Sequence, residues 1–248
     1  MSLPKNLAER TLARITERFR LEERTSPEGG PLLTLKAQMG PGGPVNVGWV
    51  RELRGGPLGK VINVGIVVPP IGLDSHMIFA FTRDESPVPH FTIDSVGTGA
   101  FFAFHLDLIP RADLGANLAY MNAAFQPLTE TFEATQKLEG LSPAKLSPRQ
   151  NALMSPWMLA HRATEAAFSQ IGTAVDTYLE HWFGLVERGL PAEAVEGLDG
   201  AALSRRDARQ RAAIFSPEID PVWNQVDRLV GPDVSATIRD LLKSPSGR

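Results

Sequence analysis

The chain changes character near residue 112. Before it, short β-branched and aromatic runs are broken by Gly and Pro. After it come longer stretches with helical spacing of apolar residues. Strands first and helices after predict α+β layers, because βαβ winding needs the two element types to alternate. Six strand candidates fall at 31–38, 45–52, 60–68, 75–82, 88–96 and 100–109. Gly40-Pro41-Gly42-Gly43-Pro44, Gly55-Gly56-Pro57 and Pro69-Pro70 separate them, and connections that short predict an antiparallel meander. A helix is predicted over 5–22, where Leu7, Leu12, Ile15 and Phe19 share one stripe. Further helices are expected over 116–136, 156–188, 199–213 and 220–243. Ser155-Pro156 reads as a helix start and Gly189 as a helix stop. Residues 137–150 read as a loop, and Ser244 to Arg248 as a frayed tail. All of this is read as a single domain over 1–248: an N-terminal helix (1–22), a sheet (31–109) and helical layers (116–243).

Composition removes several kinds of chemistry. Cysteine is absent from the 248 residues, which excludes disulfides, thiolate zinc sites, cysteine-held iron–sulfur clusters and a cysteine nucleophile. No run approaches ~18 apolar residues, so no transmembrane helix is expected. The start, MSLPKNLAER, lacks an apolar signal core, and a cytoplasmic location is expected. A net charge of −3 argues against broad nucleic-acid binding. There is no G-x-G-x-x-G at a strand–helix junction, no Walker A loop, no H-E-x-x-H and no G-x-S-x-G elbow. One basic run, Arg205-Arg206-Asp207-Ala208-Arg209-Gln210-Arg211, is either a solvated helix face or a docking patch for an acidic partner.

The segment from His90 to Leu108 is the most informative about chemistry. Gly97-Thr98 can form a two-residue hairpin loop, which pairs residues whose numbers sum to ~195. Asp94 then faces Phe101, Thr92 faces Ala103 and His90 faces His105. Side chains alternate along strands. One face carries Phe91, Ile93, Phe102, Phe104, Leu106 and Leu108, a core face. The other carries His90, Thr92, Asp94, Phe101, Ala103, His105 and Asp107. This mixed face either meets water or lies under a helix layer. The downstream helices are sufficient to cover both faces of a six-stranded sheet. Covered polar groups must be paired or must line a cavity, and such a cavity could donate protons. A metal cluster built on His76, His90 and His105 is also conceivable, though no tight ligand spacing supports it.

Two segments carry a family resemblance. Pro89-His90-Phe91-Thr92-Ile93-Asp94-Ser95-Val96-Gly97, followed by Asp107-Leu108-Ile109-Pro110-Arg111-Ala112-Asp113-Leu114, resembles the ferredoxin-dependent bilin reductases. It resembles still more their relatives, the red chlorophyll catabolite reductases. Ile219-Asp220-Pro221-Val222-Trp223 and Leu229-Val230-Gly231-Pro232-Asp233-Val234 resemble the family's C-terminal Asp-Pro segment and the helix after it, with Val230 in place of the usual Phe. The resemblance spans roughly residues 60–240.

It implies an α/β/α sandwich that binds an open-chain tetrapyrrole between the sheet and the C-terminal helices. Reduced ferredoxin would supply single electrons, with no bound flavin, nicotinamide or metal. By the same resemblance Asp94 would be the central proton donor, Asp220 a second acid, and His76 a histidine on the preceding strand. No acid stands near Val64, where one subclass has one. The remaining expectations are pigment contacts at His90, Thr92, Phe101, His105 and Arg111, and ferredoxin docking at Arg205, Arg206 and Arg209. Each residue also has an ordinary structural reading. Asp94 could cap the hairpin turn, Asp220 could cap the last helix, and His76 could be a satisfied core histidine. A pigment carrier without catalysis is the main functional alternative.

Overall fold

The computed structural model describes residues 2–39 and 42–246. The strands are β1 (Glu22–Arg24), β2 (Leu33–Gln38), β3 (Pro44–Arg54), β4 (Leu58–Val68), β5 (Leu73–Thr82), β6 (His90–Gly97), β7 (Phe102–Ile109), β8 (Leu141–Pro143) and β9 (Leu159–Ala163). They form one open sheet in the order β1-β3-β4-β5-β6-β7-β9-β8, with β2 also pairing β3. Every pairing among the described residues is antiparallel. The six expected strands all form. The sheet is wider than expected because β1, β8 and β9 extend its edges. Residues 40 and 41 of the expected Gly-Pro turn lie outside the described residues.

The longer helices are α1 (Leu3–Phe19), α2 (Leu118–Ala124), α3 (Thr129–Gln136), α4 (Gly172–Arg188), α5 (Gly200–Ile214), α6 (Val222–Val230) and α7 (Pro232–Lys243). None among the described residues is long and apolar enough to cross a membrane. Three expected helices are corrected. The one over 116–136 is split at the 3-10 turn Gln126–Leu128, where Pro127 cannot donate to the ladder. The one over 220–243 breaks at Gly231, φ 90°, just before Pro232. The one over 156–188 begins instead as strand β9, and the helix starts only at Gly172. Gly189 ends α4 as expected, but Ser155 starts no helix. Its N–H and hydroxyl both donate to Asp107, at 2.9 and 2.5 Å.

Helices cover both faces, giving an α/β/α sandwich. On one side α1, α2 and α4 pack Ile15, Tyr120, Tyr178, Leu179 and Trp182 on Val61, Ile78, Phe91, Ile93, Leu106 and Leu108. On the other, α5, α6 and α7 bring Ile214, Trp223, Val226 and Ile238 onto Ile62, Val64, Ile66, Phe79 and Phe81. The β6–β7 hairpin therefore has its predicted core face inside, and its mixed face lies under the C-terminal helices.

The hairpin register differs from the expectation. Pairs sum to 199: His90 faces Ile109, Thr92 faces Asp107, Asp94 faces His105 and Gly97 faces Phe102. A four-residue loop, Thr98–Phe101, replaces the two-residue one. It closes through the Thr98 N–H to the Phe101 carbonyl at 3.1 Å, with Gly99 at φ 75°. The slip is an even number of residues, so neither face changes its membership.

The C-terminal tail is anchored rather than frayed as far as Ser246. Lys60 Nζ donates to the carbonyls of Leu241 and Ser244 at 2.5 and 2.7 Å, and to Ser244 Oγ at 2.8 Å. The Ser246 N–H donates to Asp84 Oδ1 at 2.8 Å. Gly59 admits this contact, since a Cβ there would sit 2.2 Å from Ser246 Cβ. Gly247 and Arg248 lie outside the described residues.

Candidate active site

The register places side chains of the mixed face in rows that run across the sheet. Ser75, Val96, Ala103 and Arg162 make the first row. Met77, Asp94, His105 and Ala160 make the second. Phe79, Thr92 and Asp107 make the third. His90 and Ile109 lie beyond. Burial rises along that order. Thr92, Asp107 and His90 are buried, whereas Ser75, Met77, Asp94, Val96, Ala103, His105 and Ala160 are half-buried and Arg162 is exposed. The first two rows are thus only partly covered.

The deep rows are committed except at Thr92, whose buried Oγ1 has no hydrogen-bond partner. The Thr82 N–H donates to His90 Nδ1 at 3.0 Å, so the ring proton sits on Nε2 and donates to Asp207 Oδ1 at 2.8 Å. Burial, then the nearby Arg111 guanidinium, pushes His90 down to about 3, and the ring is neutral. Arg111, fully buried, donates to Thr82 Oγ1 and to the Arg83 carbonyl, both at 3.2 Å, and to the Asp84 carbonyl. Burial alone would raise the Asp207 carboxyl. Donation from His90 and Arg211, with Arg111 beside them, outweighs it and holds Asp207 below the usual carboxylate range. His90 and Arg111, both expected on the pigment, are instead the clamp between the sheet and α5. Asp107 is spent on Ser155, and burial still raises it to about 7.

The half-buried row is not committed. Asp94 Oδ1 and His105 Nε2 are buried and have no hydrogen-bond partner, and neither has Thr92 Oγ1. Native proteins leave few such atoms without a reason. Burial raises Asp94 to about 7 and the negative Asp220 adds to the rise, against the Ser95 backbone N–H. Asp220 heads α6 and is itself raised, chiefly by burial. Its Oδ1 accepts from the Val222 N–H at 3.1 Å, a turn-forming contact that leaves the second oxygen over. Burial lowers His105 to about 4. A protonated carboxyl, a neutral imidazole and a second acid therefore meet at one end of the sheet.

The structure does not bring His76 to this group. It stands opposite Gly65 and Ser95, hence on the other face from Asp94, with Nε2 2.7 Å from Asp74 Oδ1 and its ring 5.7 Å from Trp49. Met77 takes the place beside Asp94. His76, His90 and His105 diverge, and no three His, Asp or Glu side chains converge as metal ligands among the described residues. Phe101 lies in the turn, not on a strand, and Arg162 stacks over it at 4.6 Å. Arg205 and Arg209 are exposed on α5. Arg206 is half-buried, donating to the Pro110 carbonyl and Gln210 Oε1, both at 2.7 Å, so it is not a free surface cation. A separate cavity of about 760 Å³ lies by Glu23, Thr34, Trp49 and Arg51, away from Asp94.

Sequence reasoning missed Arg162 because it missed β9. In the structure Leu159, His161 and Ala163 are buried and alternate with Ala160 and Arg162, a period that the residue types Leu, Ala, His, Arg and Ala scarcely display.

No known family profile matches the chain. No curated protein matches it in sequence. Solved structures do. The crystal structure of phytochromobilin synthase from tomato, in complex with biliverdin, aligns with a TM-score of 0.74 at 18% identity. The alignment covers 96% of this chain and 82% of the tomato chain. At that identity the likeness is one of architecture, and this chain has the fold of phytochromobilin synthase.

Proposed function

We propose that this protein reduces an open-chain tetrapyrrole of the bilin class, with Asp94 as the proton donor. One observation carries the reading: a carboxyl group with an unpartnered, buried oxygen stands on a partly covered part of the sheet, raised to about 7 by burial and by Asp220. The shared fold with a biliverdin-bound protein supplies the ligand class.

A flat, conjugated pigment suits a floor of Ser75, Met77, Val96, Ala103 and Ala160. These side chains are small or flexible and carry no charge. Bilins also bear carboxylates, and the exposed Arg162 stands beside this floor to pair with one. Reduction of one double bond takes two electrons and two protons. Electrons would come singly from reduced ferredoxin, docking on the exposed Arg205 and Arg209. The chain's own task is to hold the pigment, exclude water and supply protons. Raised to about 7, Asp94 still holds its proton in a substantial share of molecules near neutral pH, as a general acid must. Asp220 disfavours the Asp94 anion and so keeps the proton available. His76, His90 and Arg111 have no part in this reading, since their side chains are committed elsewhere.

Adding biliverdin to the purified protein should give a red-shifted absorption spectrum, and reduced ferredoxin should then bleach it. A complex that forms but never bleaches would favour the carrier reading. No spectral change with biliverdin or with red chlorophyll catabolite would overturn the proposal. Arg162→Gln should weaken pigment binding about 10- to 150-fold, the range of one lost charge-assisted contact. A spectral titration reads this directly, and unchanged affinity would remove Arg162 from the site.

A further inference from the structure

His105 has no task in the reading above, yet its placement gives it one. It stands directly opposite Asp94 on the neighbouring strand. Directly opposed side chains in an antiparallel pair have Cβ atoms about 4.5–5.5 Å apart. The residue is half-buried, and its Nε2 is buried and unpartnered. Asp94 Oδ1, on the same face, is buried and unpartnered as well.

Among the groups that face Asp94 on the sheet, His105 is the one directly opposite it that can take up a proton at one atom and release it at another, with the Ser75 hydroxyl one row outward. The other flank of Asp94 is Met77, which carries no proton. In the next row inward, Thr92 is buried and Asp107 is closed off by Ser155. In the next row outward, β9 offers Arg162, which does not release its proton. From α6 the facing group is Asp220, an acid that repels the Asp94 anion.

A covered carboxylate that has given up its proton needs a route by which to regain it. We propose that His105 is the positioning and relay residue that reloads Asp94 with a proton from solvent. This rests on the reading that Asp94 protonates a bound pigment. In the transfer, the Asp94 O–H bond breaks and a bond to hydrogen forms on the pigment. The one-electron donor, an iron–sulfur protein of the ferredoxin class, supplies the two electrons. In the reload, water gives a proton to one ring nitrogen of His105, the N–H at the other breaks, and the Asp94 O–H forms again. The imidazole ends neutral, as it began, and exchange with water restores its starting tautomer. Each proton delivered to the pigment is replaced by one drawn from solvent.

The test compares wild type, His105→Ala and His105→Gln, each loaded with biliverdin and mixed rapidly with reduced ferredoxin. Both variants should bind the pigment. The first protonated intermediate, which uses the proton already on Asp94, should form at the wild-type rate. Later proton uptake should slow at least tenfold, so that a partly reduced coloured species accumulates. Added imidazole should restore His105→Ala, where the ring leaves a space, and leave His105→Gln slow. A merely structural histidine would not show that rescue. Multiple turnovers of His105→Ala at the wild-type rate would overturn the relay. So would a slowed variant of unchanged melting temperature that is indifferent to imidazole. A wild-type chain that never bleaches biliverdin would instead remove the underlying reading, and the relay with it.

Discussion

Asp94→Asn is expected to keep the pigment and lose turnover. Removing a positioned general acid costs about 10²- to 10⁴-fold in rate. Asparagine matches the shape of the carboxyl, so the site should still bind bilin with nearly its wild-type affinity. Turnover of the wild type needs Asp94 protonated, so it should fall as pH rises through about 7. Any residual activity of the variant should lack that fall.

Stability should move the other way. The folded protein holds the Asp94 proton up to about 7, whereas the unfolded chain releases it near about 3.9. Between those values the folded state binds more protons, so this group's stabilising contribution is complete below about 3.9 and is lost as pH rises through about 7. Asparagine has no proton to lose. Asp94→Asn should therefore melt at a higher temperature than wild type at pH 8 and show little gain at pH 4. A functional acid kept in an unfavourable setting predicts this opposition; a turn-capping aspartate predicts a loss of stability at both pH values. Wild-type turnover in the variant, or a lower melting temperature at pH 8, would remove Asp94 from the mechanism.

Asp207→Ala is expected to give the largest loss of stability, about 3–5 kcal/mol, the range for breaking a buried ion pair from one side. The carboxylate accepts from His90 Nε2 at 2.8 Å and from both Arg211 Nε, at 2.8 Å, and its terminal nitrogen, with Arg111 Nε at 3.8 Å. Truncation would leave the buried His90 N–H without its acceptor and take the counter-charge from Arg211 and Arg111, which would keep only their contacts to Ser244, Thr82, Arg83 and Asp84. Arg205→Ala is the control, on the same helix but exposed, and should change stability by less than about 0.5 kcal/mol. Denaturant unfolding compares the two, and an Asp207→Ala loss below about 1 kcal/mol would show that the clamp does not hold α5 on the sheet. Both partners make the clamp weaken on the acid side. His90 is lowered to about 3, so its contribution is present above about 6.5 and is lost as pH falls towards 3. Asp207 is lowered too, and its contribution is lost below about 3.9.

Much of the fold was legible because its signals are local. The order of strands and helices followed from where Gly, Pro and β-branched residues fall. The alternation from Phe91 to Leu108 separated the two faces of the hairpin correctly even though the turn was misjudged, because a slip by an even number of residues preserves faces. Strand β9 was missed since its five residues scarcely alternate in type and sit between segments of helical spacing, so helix was the stronger local pattern. The break at Gly231-Pro232 is local too: Gly231 takes φ 90°, and Pro232 opens the next helix.

The candidate site was legible only as a pool of polar residues on one face: His90, Thr92, Asp94, His105 and Asp107. Which of them are free was decided by tertiary structure. His90 meets an aspartate 117 positions away in the chain, and Asp107 meets a serine 48 away. Asp94 Oδ1 and His105 Nε2 meet no hydrogen-bonding partner. Periodicity shows towards which side a side chain points, because that depends on the next few backbone torsions. It holds no information about what waits there, because a partner's position depends on how the whole chain packs. The alternation of the chain therefore determined the face that carries Asp94, and the docking of α5 to α7 decided that one of its carboxyl oxygens would be covered and left without a partner.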